Sequence, residues 1–236
     1  NYYTYSDPVV GDIAGEHLPE IIIIEYTGKK IAAFEIDITL KWISKPLTEI
    51  NLDTQKFPRV SLADIDQDGS PDIVYADHVL EADGTIKWIG AQSYGRGAPS
   101  IANIDLEGAP EIVTGNTVYR SSGELYWTNP AIPASCFSSI GNFDEDPFPE
   151  IVLVCNKVYL LEHTGEVVWS KLLPGGGRGG APCIADYDND GELEIGVAGV
   201  IFYSVFETDG SVKWQSSIRD SSHVTGSSVF DFEGDG

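Results

Sequence analysis

The chain alternates short apolar runs with stretches of turn-forming and acidic residues from one end to the other. The runs are Ile21–Ile24, Ile73–Tyr75, Ile112–Val113, Ile151–Val154 and Ile195–Val197. Each is short enough for a strand, and none extends into a 3.6-residue periodicity, so a parallel βαβ fold is disfavoured. Each run follows an acidic loop, and a strand-like stretch comes before the loop, as in Pro99-Ser100-Ile101-Ala102 and Pro182-Cys183-Ile184-Ala185. All five tryptophans recur as well: Trp42, Trp88, Trp127, Trp169 and Trp214 are separated by 46, 39, 42 and 45 residues. Four of them have a glycine four positions earlier, at Gly84, Gly123, Gly165 and Gly210. A glycine turn followed by alternating residues predicts a hairpin.

The acidic loops begin at Asp12, Asp64, Asn103, Asn142, Asp186 and Asp231, out of phase with the tryptophans. One unit therefore reads strand, acidic loop, strand, turn, strand, glycine turn, tryptophan strand. Four strands in roughly 40–45 residues is the size of a β-propeller blade. The expected fold class is all-β: a propeller of four-stranded antiparallel blades, at 1–50, 51–93, 94–131, 132–174 and 175–219, with a sixth opening at 220. A propeller protects its sheet edges by closing its ring. Five blades and the start of a sixth do not close one, so the expectation is a single propeller fragment, 1–236, belonging to a larger ring.

Two loops carry the clearest chemistry: Asp64-Ile65-Asp66-Gln67-Asp68-Gly69-Ser70-Pro71-Asp72 and Asp186-Tyr187-Asp188-Asn189-Asp190-Gly191-Glu192-Leu193-Glu194. Carboxylates at positions 1, 3 and 5 of a tight turn face one side, position 7 offers a carbonyl, and position 9 closes the cage. That many hard oxygens suit Ca²⁺, which accepts six to eight ligands at about 2.3–2.6 Å. An EF-hand needs Glu at position 12 and flanking helices. Position 12 here is Tyr75 or Val197, inside a strand, so that reading fails.

These loops and the blade length resemble the FG-GAP, or VCBS, repeats of integrin α-subunit propellers and of many secreted bacterial proteins, over nearly the whole chain. The resemblance implies Ca²⁺ bound between the first two strands of a blade. Its ligands would be Asp64, Asp66, Asp68, Ser70 (carbonyl) and Asp72 in the second blade, and Asp186, Asp188, Asp190, Glu192 (carbonyl) and Glu194 in the fifth. The third loop departs from the pattern, with Asn103, Asp105, Glu107 and Glu111, where Glu107 is one methylene longer than the usual Asp. The fourth offers Asn142, Asp144, Asp146 and Glu150, with Pro147 in place of the turn glycine and unable to adopt φ > 0. The first keeps Asp12, Glu16 and Glu20 but has Ala14 at position 3, and is expected to be empty; the sixth has Asp231, Glu233 and Asp235. Two to four Ca²⁺ ions are expected. The competing interpretation, Asp/Asn-rich turns held by local hydrogen bonds, explains one such loop better than several at one repeat position.

Charge narrows the partners. Asp and Glu total 37 against 14 Lys and Arg, a net −23. Such a chain repels nucleic acid and anionic membrane surfaces, and no run of about 18 apolar residues offers a membrane span. The remaining expectation is a protein or carbohydrate ligand of unspecified identity, or self-assembly.

The other features read structurally. Tryptophans at one repeat position are expected to pack blades rather than stack on sugars. Gly175 to Gly180 lacks the Gly-Lys-Ser/Thr ending of a phosphate loop, and with Tyr94 to Pro99 it reads as an inter-blade connector; Arg96 and Arg178 on one rim are a minor alternative site for an anion. His17, His78, His163 and His223 share no spacing and are expected at the surface near turns. Ala91 to Gly95 only approximates a hydrolase elbow. Cys136 and Cys155 flank the fourth acidic loop, so a disulfide is one reading; three buried thiols is the one adopted, with Cys183 a small core residue.

The function expected is a non-catalytic, calcium-stabilised extracellular propeller for adhesion, ligand binding or assembly. A subunit of a surface fibre is the structural variant. A polysaccharide lyase is the enzymatic alternative; it needs basic residues around a uronate, and no basic cluster recurs in this sequence.

Overall fold

A computed structural model describes residues 7–25, 29–47, 59–91 and 98–230. The loop with Arg96, most of the long insertion in the first repeat and the acidic residues of the sixth loop lie outside them. Among the described residues there are twenty strands and no helix. Blade 1 comprises β1 (Val9–Gly11), β2 (Glu20–Glu25), β3 (Lys30–Phe34) and β4 (Leu40–Ile43). Blade 2 comprises β5 (Val60–Ala63), β6 (Asp72–Tyr75), β7 (His78–Leu80) and β8 (Ile86–Ile89). Blade 3 comprises β9 (Ser100–Ala102), β10 (Glu111–Thr114), β11 (Thr117–Tyr119) and β12 (Leu125–Thr128). Blade 4 comprises β13 (Phe137–Gly141), β14 (Glu150–Val154), β15 (Lys157–Leu161) and β16 (Val167–Leu172). Blade 5 comprises β17 (Cys183–Ala185), β18 (Glu194–Ala198), β19 (Phe202–Phe206) and β20 (Val212–Ser217). Each is a four-stranded antiparallel meander in chain order, the blade architecture the repeat predicts.

The chain divides into two compact units, Asn1–Asn103 with Glu107–Ser135, and Ile104–Leu106 with Cys136–Gly236. In the first, the leading strands of blades 1, 2 and 3 lie side by side, and Ser61 Oγ donates to the Pro99 carbonyl at 2.7 Å. In the second, β13 lies beside β17.

Burial explains the apolar runs. In blades 2 to 5 the second strand is covered on both faces: every residue of β6, β10, β14 and β18 is buried, whereas β2 of blade 1 leaves Ile21 and Ile23 half-buried. A strand packed on both sides needs no polar face, so it reads as continuous hydrophobicity. Ile22, Ile24 and Ile31 of blade 1 pack with Val60, Ile73 and Tyr75 of blade 2. Val152, Val154 and Leu160 of blade 4 pack with Ile195, Val197 and Phe206 of blade 5. The fourth strands are half-buried or exposed throughout, and they mix apolar residues such as Val167, Leu172 and Val212 with polar ones.

Trp42, Trp88 and Trp169 each lie against the next blade. Trp88 Nε1 donates to the Ser121 carbonyl and Trp169 Nε1 to the Thr208 carbonyl, each on the hairpin of the next blade. A Cβ at Gly123 would come within 2.7 Å of the Trp88 ring, and one at Gly210 within 2.8 Å of Trp169. Glycine is therefore required twice over, by positive φ and by the ring lying against its backbone. In blade 1 the equivalent turn position is Ile38, held at φ 72.

Two expectations are corrected. Cys136 and Cys155 form a disulfide: the β13–β14 register pairs Phe137 with Val154, and the next positions out have Cα atoms 4.6 Å apart, inside disulfide range. Cys183 is the free thiol and is half-buried rather than a core residue. His78 is fully buried, because the tight β6–β7 turn draws its Nδ1 to within 2.9 Å of Asp77 Oδ1 and away from solvent.

Candidate metal centres

Each acidic loop links the first two strands of its blade, and in four of the five described blades its backbone is shaped by left-handed residues. Positions 4 and 6 have positive φ in blade 1 (Gly15, His17), blade 2 (Gln67, Gly69), blade 3 (Leu106, Gly108) and blade 5 (Asn189, Gly191). The position-1 carboxylate then accepts two successive amides. Asp68 N donates to Asp64 Oδ1 at 3.0 Å and Gly69 N to Oδ2 at 2.9 Å; Asp190 N and Gly191 N repeat this on Asp186. These bonds, led by that from Gly191, hold the Asp186 carboxyl below its usual range. The position-5 carboxylate accepts the position-7 amide, from Ser70 to Asp68 and from Glu192 to Asp190. Blade 4 differs, as Pro147 requires: neither Glu145 nor Pro147 has positive φ. There Asp144 accepts from Asp146 N, Asp146 from Phe148 N, and Asn142 Nδ2 donates to the Asp146 carbonyl.

Position 9 opens the second strand and is buried in every blade, at Glu20, Asp72, Glu111, Glu150 and Glu194. One of its oxygens accepts the amide of the apolar position-2 residue: Ile13 to Glu20, Ile65 to Asp72, Phe143 to Glu150, Tyr187 to Glu194. The turn is thereby folded back onto the strand.

Carboxylate oxygens converge within 4.8 Å of one another in three loops: Asp186, Asp188, Asp190 and Glu194; Asp64, Asp66 and Asp72; and Asp144, Asp146 and Glu150. That spacing suits oxygens around one ion at Ca²⁺–oxygen distances, so the donor sets fit such an ion best in blade 5, then in blades 2 and 4. Asp68 stands outside the blade 2 trio. In blade 3, Asn103 Nδ2 donates to the Gly108 carbonyl, and Glu111 lies 3.6 Å from Arg120; no acidic trio converges there among the described residues. None converges in blade 1 either.

The sequence reading missed a cation. Every blade has a register shift between its third and fourth strands, and the skipped residue immediately precedes the tryptophan: Lys41, Lys87, Tyr126, Val168 or Lys213. A bulge re-aims its side chain, and in blades 1, 2 and 5 the lysine points into the acidic loop. Lys213 Nζ contacts Asp188, Glu194 (3.2 Å) and Glu207 (3.0 Å). Lys87 Nζ contacts Asp66, Asp72 (3.0 Å) and Glu81 (3.3 Å); Lys41 reaches Glu20 at 2.6 Å and Glu35 at 3.1 Å. Burial works to lower the Lys87 ammonium, but the Asp66 and Asp72 hydrogen bonds outweigh it and hold it above the normal lysine range. Asp66 is pulled down by Lys87, whereas burial pushes Asp72 up despite the same partner. In blade 3 the cation comes from the turn instead: Arg120 lies 4.1 Å from the centre of the Tyr126 ring. The readable signal was Glu seven residues before the tryptophan and Lys one before it, in three repeats of five.

No family model matches this chain, and no curated protein matches it. Solved structures do. The biofilm matrix protein Bap1 of V. cholerae superposes with a TM-score of 0.70 at 21% identity, over 92% of this chain and 40% of its own. The exotype rhamnogalacturonan lyase YesX superposes with a TM-score of 0.60 at 15% identity, over 84% and 37%. BBS1N, solved in complex with ARL6DN, does so with a TM-score of 0.61 at 11% identity, over 92% and 67%. At these identities the likeness is one of fold. The chain is a β-propeller of four-stranded blades. It spans about two fifths of the length of Bap1 and of YesX.

Proposed function

We propose that this chain is a calcium-stabilised, non-catalytic propeller of the FG-GAP/VCBS kind, working outside the cell in adhesion, ligand binding or assembly. The observation that carries the reading is the convergence of carboxylates in the loops of blades 2, 4 and 5, at the same point of each blade. Ser70 and Glu192 would add their carbonyls in blades 2 and 5, and Asn142 its side chain in blade 4. Ca²⁺ would supply charge neutralisation and a rigid turn, not a reaction. The disulfide supports an oxidising compartment. A biofilm matrix protein among the structures of like fold agrees with a matrix or fibre role.

The rhamnogalacturonan lyases of like fold keep the enzymatic reading in view. It is the weaker one, because Lys41, Lys87 and Lys213 are committed to carboxylates of their own blades.

Calorimetric titration with Ca²⁺, with thermal melts in calcium and in EDTA, tests the proposal. Binding of two to four ions is expected, each stabilising by about 2.7 kcal/mol at a free concentration near 100 Kd. No heat of binding and identical melts would overturn it. Unsaturated products from pectic polymers, followed by ultraviolet absorbance, would establish the lyase instead.

A further inference from the structure

Blades 4 and 5 share one polar framework with one difference. Asp144, Glu150 and Glu162 of blade 4 stand where Asp188, Glu194 and Glu207 of blade 5 stand: loop position 3, loop position 9, and seven residues before the tryptophan. In blade 5 these three surround Lys213 Nζ. In blade 4 the bulged residue is Val168, which carries no ammonium. What takes its place is a pocket of about 270 Å³, lined by the three carboxylates and by Phe143, Leu160 and Val168.

The decisive atom is Glu150 Oε1. Glu194 Oε1 receives Lys213, and Asp72 Oδ1 receives Lys87. Glu150 is 1% exposed; its Oε2 accepts Phe143 N, and its Oε1 is buried with no partner. A buried carboxylate oxygen left unsatisfied is costly, more so with three further carboxylates, Asp144, Glu162 and Asp209, lining the same pocket. Thr208 and Asp209 of blade 5 complete the lining, and the Asp209 carboxyl is held below its usual range by the hydrogen bonds of Ser211, with a smaller pull from the Lys171 ammonium.

We propose that this pocket binds a primary alkylammonium group from outside the chain. The ammonium sits among Glu150, Glu162 and Asp144, where sister blades place their own lysine, and its alkyl stem lies along Phe143, Leu160 and Val168. A lysine side chain of a partner and a free diamine share this chemistry. The inference does not depend on calcium in the other loops, since it rests on the atom that receives lysine there.

The test titrates the whole protein, in EDTA, with Nα-acetyl-lysine methylamide, cadaverine and the uncharged Nα-acetyl-norleucine methylamide. The two amines are expected to bind saturably at one site, with the norleucine compound at least tenfold weaker. Glu162→Gln, a half-buried position that keeps the fold, should weaken both amines about tenfold. Val168→Lys should abolish their binding and raise Tm by restoring the internal pair. Tighter binding of the lysine compound points to a partner's side chain, and tighter binding of cadaverine to a free polyamine; either supports the site. The proposal is overturned if neither amine binds, if binding survives Val168→Lys, or if Val168→Lys instead removes one bound Ca²⁺ in the calcium titration without any amine effect. That last outcome would assign the pocket to the metal. No calcium binding at all, with identical melts in calcium and EDTA, would fail the proposed function and leave the amine result standing.

Discussion

Blades 4 and 5 pack against each other and fold alike, yet they are held by different means. Blade 5 neutralises its loop from within, through Lys213 at the bulge, and its one cysteine is free. Blade 4 has no such lysine and instead ties β13 to β14 covalently through Cys136–Cys155. In blade 4 burial pushes the Glu150 carboxyl up, and Asp144, Glu162 and Asp146 push in the same direction. The lesson is that the acidic loop is a frame needing a positive charge, and the repeat supplies it in different ways. Lysine serves in three blades, arginine from the turn serves in one, and blade 4 leaves the position to something external.

The largest expected effect breaks the covalent half of this comparison. The disulfide spans 19 residues. Closing a loop of that size stabilises by about 3 kcal/mol in the chain-entropy account. The Cys136→Ser/Cys155→Ser double variant should lose about that much in urea denaturation, and a reductant should lower the Tm of the parent but not of the variant. An unchanged midpoint would show that blade 4 does not depend on its bridge.

The ionic half is tested next. Lys87→Met keeps the stem and removes the ammonium, leaving Asp72, 2% exposed, without its cation. Removing one partner of a buried pair is worth up to about 3–5 kcal/mol; with the lysine partly in solvent, a loss of about 2 kcal/mol is expected by chemical denaturation. Lys213→Met should lower Tm in the same direction, and Val168→Met in blade 4, where no ammonium is lost, should change it little. Calcium should offset part of the loss at Lys87 and Lys213. If the lysine variants melt with the parent in EDTA, the bulge cation is incidental.

Strands and blades were legible because burial on both faces leaves a continuous apolar run, and because glycine and tryptophan recur for a steric reason visible in Gly123 against Trp88. The acidic loops were legible as clusters. Which of them converge was less so, since Pro147 and Glu107 change the backbone and the reach in ways that spacing does not measure. The lysines were present at one place in the repeat, but their meaning depends on a bulge that turns the side chain toward the loop. A bulge is a matter of hydrogen-bond register across the sheet, and the skipped position here takes Lys, Tyr or Val alike. The disulfide was misjudged for a similar reason: two cysteines 19 residues apart bridge only if the β13–β14 register places them together.

The smallest effect concerns the hairpin before the tryptophan, where blades 4 and 5 agree and blade 1 does not. Gly165 and Gly210 take φ 85 and 76 there, and Ile38 takes φ 72 in the same turn, with Ile38 N bonded to the Glu35 carbonyl at 2.8 Å. A left-handed conformation costs a non-glycine residue about 1–2 kcal/mol, and a β-branched side chain suffers most. Ile38 is 75% exposed, so it recovers little by burial. Ile38→Gly relieves the strain but frees the unfolded chain, which takes back part of the gain. The net expectation is a stabilisation of about 0.5–1 kcal/mol, read as a higher urea midpoint at unchanged slope. Gly210→Ala is the opposing control. It meets both the φ penalty and the Trp169 ring at 2.8 Å, so it should destabilise by more than Ile38→Gly stabilises. Should Ile38→Gly lower the midpoint instead, the isoleucine is held by contacts that outweigh its backbone strain, and blade 1 would have to be counted as a different hairpin rather than a strained copy of the same one.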